Sequence, residues 1–190
     1  MKVIKNIINL GFVQVANFLI PILLIPILIS AFGIEGYGLI AFIQLCGYFV
    51  FVFVDYGFSL GAVQKILSED INNRAKIINS ILYIQLLAFI AISVPLYFLF
   101  DVITGGLYQG YAIYVIFYSF SYIINSAWLY QSTDSLSLYA KFQVLIKVIY
   151  ISLAYFFVSL EVRIEFILNL YILISLAFGV SLFTNTYLKN

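Results

Sequence analysis

The chain has 190 residues, of which 65% are hydrophobic and only 9% charged, and its mean hydropathy of +1.13 excludes a water-soluble domain, whose surface needs about 25% charged residues. Nine basic and eight acidic residues leave no basic patch, so no nucleic-acid partner is expected. A single cysteine, Cys46, and the absence of histidine remove disulfides, the usual zinc and haem ligands and imidazole chemistry, so no metal, cofactor or enzymatic activity is expected.

Six apolar stretches are long enough to cross a bilayer, which takes about 20 residues each. They cover 7–32, 39–63, 77–100, 110–131, 142–160 and 166–188, so the fold expected is an all-α integral membrane protein, a single six-helix bundle. The first stretch follows Lys2 and Lys5 and is too long for a signal-peptide core, so it reads as a retained span. Lysines and arginines gather on alternate connections: Lys65, Arg74, Lys76, Lys141, Lys147 and Lys189 fall on the same side as the N-terminus, with Arg163 alone opposite. Basic loops stay cytoplasmic, which places both chain ends inside. The mixed segment 65–76 reads as a short helix on the inner membrane surface.

Polar groups within spans are costly and should face protein or a water-filled cavity. In the first span Gln14, Asn17 and Pro21 share a face; in the second, Gln44, Tyr48, Asp55 and Ser59 recur at helical spacing. The fourth span lines up Tyr111, Tyr114, Tyr118, Tyr122 and Asn125, and the fifth Gln143, Lys147 and Tyr150. At 1.5 Å per residue, Gln14, Asp55, Asn125 and Lys147 reach one level in the inner third of the membrane. Pairing Asp55 with Lys147 at the floor of a central cavity would spare each an unpaired burial cost of about 2.5–3.5 kcal/mol. The competing reading is that these groups only hold helices together by hydrogen bonds, with the tyrosines as packing residues. Pro21 and Pro26 each remove a backbone donor, predicting a kink and a candidate hinge near mid-membrane. Pro95 adds another in the third span, and Gly57 with Gly61 forms a small-xxx-small pattern for close helix approach.

One run of residues carries a further signal: Asn9, Gln14, Asn17-Phe18, Pro21 and Pro26, then Gly33, Tyr37-Gly38, Tyr48-Phe49 and Asp55-Tyr56-Gly57-Phe58. It resembles the Wzx-type O-antigen and polysaccharide flippases of bacteria, within the multidrug, oligosaccharidyl-lipid and polysaccharide exporter superfamily. Trp128-Leu129-Tyr130-Gln131 is a weaker match. The chain departs from the family at Ser30 and Gln64, where family members usually carry Arg. The resemblance implies one bundle of a MATE-like fold in the bacterial inner membrane, and movement of an undecaprenyl-pyrophosphate-linked oligosaccharide by alternating access. It also implies two six-helix halves, of which this chain would supply the N-terminal one, needing a second half or another copy as partner besides the bilayer. No nucleotide-binding GxxxxGK[ST] loop is present. Two other functions fit the sequence: a cation-coupled small-molecule or drug antiporter of the same superfamily, and a non-transporting membrane subunit.

Overall fold

The computed structural model describes the backbone of residues 2–133 and 135–187, and the side chains in that range except those of 2–10, 12–14, 16, 17, 21, 60, 71, 72, 186 and 187. The described residues form seven helices and no strand: α1 (Lys2–Asp55), α2 (Phe58–Ser68), α3 (Ile71–Ile103), α4 (Ala112–Ile124), α5 (Ala127–Ser132), α6 (Leu136–Val158) and α7 (Ile164–Tyr187). Among them, five stretches are long and apolar enough to cross a membrane: Phe18–Asp55, Asn73–Ile103, Ala112–Ser132, Leu136–Val158 and Ile164–Asn185.

Five stretches are found where six are expected, because the first two expected spans run together in α1. A straight helix of 54 residues would be about 80 Å long, far beyond the roughly 30 Å of hydrocarbon. The element is broken, however, at Gly33, whose φ of 71° and ψ of 177° are not helical. Glycine alone adopts that backbone without a steric penalty, so Gly33 separates a proximal arm (2–32) from a distal arm (34–55). The segment holding Pro21 and Pro26 stays within the helical run, so the non-helical residue lies about two turns beyond Pro26.

Three other boundaries differ from expectation. The span expected over 39–63 is interrupted after Asp55, where Tyr56 (φ 44°) and Gly57 (φ 84°) turn the chain through left-handed backbone. The single surface helix expected over 65–76 is split instead, with Glu69 and Asp70 extended between α2 and α3. Arg74 closes that corner: its Nε donates to the Glu69 carbonyl at 2.8 Å and its Nη2 to the Leu67 carbonyl at 3.0 Å. The stretch 110–131 is likewise two helices, α4 and α5, parted at Asn125-Ser126. Pro95, by contrast, lies inside a continuous α3.

The chain divides into two units, Met1–Ala41 with Asp134–Lys189, and Phe42–Thr133. In the first, α6 and α7 form an antiparallel hairpin. Ring pairs Phe142–Phe178, Tyr150–Tyr171 and Phe157–Phe166 step in opposite directions along the two helices, at centroid distances of 5.8, 5.1 and 4.7 Å. The buried face of α6 includes Ile146, Tyr150 and Ala154, and that of α7 includes Ile167, Leu168 and Ser175.

In the second unit α3 and α4 pack as consecutive helices, and α2, which buries Ala62 and Ile66, packs on α5 and α3. Lipid supplies little hydrophobic drive between helices, so their association rests on close packing and interhelical hydrogen bonds. The end of the distal arm shows both. Gly47 lies against α4 so closely that a Cβ there would fall 2.7 Å from the Tyr118 Cβ and 3.2 Å from both the Ser119 nitrogen and the Val115 carbonyl oxygen. Gly61 has open space around it, and Gly57 serves the turn, so close approach is found at Gly47 and not at the expected Gly57–Gly61 pair.

Candidate functional site

The polar residues of the distal arm meet those of α4. Gln44 Nε2 donates to the Tyr118 hydroxyl at 3.3 Å, and one turn on, the Tyr48 ring meets the Tyr122 ring edge-on at 5.9 Å. Both pairs advance in the same direction, so the arm and α4 are parallel neighbours. Phe51 completes the aromatic cluster, 5.9 Å from Tyr48 and 6.1 Å from Tyr122. Burial sorts these residues into two roles. Tyr118 is 0% exposed and lies within the helix seam, whereas Tyr48 is 50% exposed and presents its other side outward.

Asp55 ends the distal arm, 8% exposed. Its Oδ1 accepts from the Ser59 hydroxyl at 2.9 Å and its Oδ2 from the Ser59 backbone N–H at 3.3 Å. The carboxylate thus caps the start of α2, where unpaired N–H groups and the helix dipole favour an acceptor and a negative charge. Ser59 joins Asp55 by this turn rather than by the continuous helical face expected from the sequence.

Asn125 and Tyr130 secure the gap between α4 and α5. Asn125 Nδ2 donates to the Ser121 carbonyl at 2.8 Å, the Ser126 backbone N–H to that of Ile123 at 3.2 Å, and the Tyr130 hydroxyl to that of Ile124 at 3.0 Å. A helix interrupted within an apolar span must find such partners, because lipid offers none. Discontinuous helices of this kind are typical of transporters, where they bend or line a cavity.

In the other unit, α6 presents Gln143 and Lys147, both half-buried, and the buried Tyr139 and Tyr150. Tyr150 packs edge-on against Tyr171, which shares a hydrogen bond with Ser175, and the Tyr150 hydroxyl has no hydrogen-bond partner among the described residues. The side chains of Gln14, Asn17 and Pro21 lie outside the described residues, and Pro26 is exposed. Asp55 and Lys147 fall in different units.

Structure therefore groups Gln44, Tyr48, Tyr118 and Tyr122 in one seam and adds Gly47 to it. It also sets Tyr171 and Ser175 beside Tyr150. The signal for Gly47 was its position, three residues after Gln44 and beside Tyr48 on the same helical face. For Tyr171 and Ser175 it was their one-turn spacing in the last span. Gln85, a polar residue in the middle of the third span, belongs to none of the stripes.

Five apolar helices of membrane-crossing length, two of them interrupted, define a multi-pass helical membrane protein. The chain is 28% identical over 161 residues to a protein of Escherichia coli (strain K12) named "Putative O-antigen transporter", and the match takes in 82% of this chain and 38% of that protein. The chain thus spans little more than a third of the length of this relative. No family model and no solved structure matches it.

Proposed function

We propose that this chain is the N-terminal six-helix bundle of a Wzx-type flippase, which moves undecaprenyl-pyrophosphate-linked oligosaccharide across the bacterial inner membrane during O-antigen, capsule or exopolysaccharide synthesis. The observation that carries the reading is the similarity, sustained along most of the chain, to a protein described as an O-antigen transporter. The architecture supports it: a hydrophilic headgroup needs polar side chains on helices that can bend, while its lipid tail stays in the bilayer. Gly33 divides α1 into two arms that would each make a crossing, giving six.

In this reading the residues that line the pathway or hold its helices are Gln14, Asn17, Gln44, Tyr48, Asp55, Tyr118, Tyr122, Asn125, Lys147 and Tyr150, with Pro21 and Pro26 as hinge. Tyr48 and Tyr122 offer aromatic faces to sugar rings, while Gln44 and Tyr118 hold the helices that carry them. A second six-helix bundle is the expected partner, because alternating access arises from one bundle rocking against another.

Vesicle reconstitution tests the proposal. Purified chain alone should move a fluorescent lipid-linked oligosaccharide no faster than protein-free vesicles, and addition of a complementary second bundle should produce movement. Movement by the chain alone would contradict the half-transporter reading. Absence of movement with both bundles present would contradict the flippase reading.

A further inference from the structure

Gln85 on α3 is 1% exposed, and neither atom of its amide has a hydrogen-bond partner among the described residues. Four more groups of the same unit share that condition: Ser93 Oγ and Asp101 Oδ1, which lie further along α3, and the Ser126 hydroxyl and the Trp128 indole Nε1, on residues 5% and 1% exposed. Buried polar groups are almost always paired, so Gln85, Ser126 and Trp128 require an explanation.

Their register brings them to one level. The Phe89 and Phe120 rings, on the consecutive helices α3 and α4 that run antiparallel from their short connection, are 5.4 Å apart. Four residues further from that connection, about 6 Å on each helix, Gln85 comes level with Ile124, the last residue of α4. Helical side chains lean toward their own N-terminus. Gln85 therefore leans toward the level of Ser126 and Trp128, and Trp128 leans back toward the α4–α5 gap. The backbone groups at that gap are already occupied by Asn125, Ser126 N–H and Tyr130, so the three side chains are left over.

The chemistry of the set selects its ligand. The amide nitrogen, indole N–H and hydroxyl can donate, while Gln85 Oε1 and Ser126 Oγ can accept. No charged side chain belongs to the set, the indole N–H disfavours a cation, and an anion would lack a positive partner. A small neutral molecule that both accepts and donates is what remains. We propose that Gln85, Ser126 and Trp128 form a buried water-binding site at the α4–α5 gap. Bound water satisfies groups that cannot reach one another and can exchange partners as the angle at the gap changes, which suits a helix that bends.

Trp128 is the sole tryptophan of the chain, so indole-15N labelling in lipid nanodiscs yields one Nε1–H resonance. A rotating-frame cross-peak of dipolar sign between that proton and water is expected, retained in Ser126→Ala and lost in Gln85→Met. Thermal unfolding gives a second test by sign. If water links the three groups, Gln85→Met lowers the midpoint, because Ser126 and Trp128 lose their shared partner. If the amide is simply unpaired in a dry interior, methionine relieves it and the midpoint rises. Absence of the cross-peak in the wild-type protein, or a raised midpoint for Gln85→Met, would overturn the proposal. Should Gln85→Met fail to fold, the wild-type cross-peak and its retention in Ser126→Ala decide.

Discussion

Replacing Gly47 with valine is expected to cause the largest loss of folded protein of any single substitution in the α1–α4 seam. Even alanine would set its Cβ 2.7 Å from the Tyr118 Cβ and 3.2 Å from two backbone atoms of α4. Backbone in a packed helix cannot yield locally, so the arm must move away as a body, and overpacking of this kind costs about 1–3 kcal/mol. Valine adds two methyl groups at the same point. The displacement also breaks the Gln44–Tyr118 hydrogen bond and separates Tyr48 from Tyr122. Gly38→Val is the control, since open space surrounds Gly38. Fluorescence-detected size-exclusion profiles and thermal midpoints in detergent should show Gly47→Ala impaired, Gly47→Val severely so and Gly38→Val close to wild type. Equal behaviour of the Gly47 and Gly38 variants would refute the close seam.

Asp55→Leu is expected to have the next largest effect. Its carboxylate holds the Ser59 N–H and hydroxyl across a turn that forces Tyr56 to a φ of 44°, a conformation costing a non-glycine residue about 1 kcal/mol or more. Loss of a helix-start cap costs about 0.5–2 kcal/mol. Leucine removes the acceptors altogether, leaving the strain at Tyr56 uncompensated, whereas asparagine keeps one oxygen and is itself a good cap. The expected order of stability is wild type, Asp55→Asn, then Asp55→Leu, with proteolysis at Tyr56-Gly57 increasing in the same order. If Asp55→Leu melts at the wild-type temperature, the carboxylate does not secure the turn.

The helices were legible because hydropathy and length dictate them. Their interruptions were less so, for reasons that differ between sites. Gly33 was visible as a turn residue, but nothing in the sequence distinguished a loop from a break inside one long helical element. Tyr56 in a left-handed conformation runs against local preference and is set by the Asp55–Ser59 bonds, which a helical-face count cannot represent. The gap after Asn125 depends on Tyr130 reaching back to the Ile124 carbonyl, a contact that requires the gap already formed. Proline, the residue expected to mark the hinge, marks none of these positions. Of the polar stripes, Gln44, Tyr48, Tyr118 and Tyr122 come together because 3.6-residue periodicity survives in two neighbouring helices. Burial within a stripe was not legible. Tyr118 and Tyr48 look alike in sequence, and only packing shows that one fills a seam and the other faces outward.

The central claim is that outward polar side chains such as Tyr48 and Lys147 face a water-accessible route rather than acyl chains. Cysteine accessibility tests it most directly, because Cys46 is the sole native cysteine and can be replaced by alanine. Single cysteines at positions 48 and 147, at the seam position 118 and at the exposed apolar positions 53 and 98 would be treated with a membrane-impermeant maleimide in inside-out and right-side-out vesicles. The account predicts labelling at 48 and 147 from at least one side, and none at 118, 53 or 98. Positions 48 and 147 as unreactive as 53 and 98 would contradict it and leave the polar stripes as helix contacts alone.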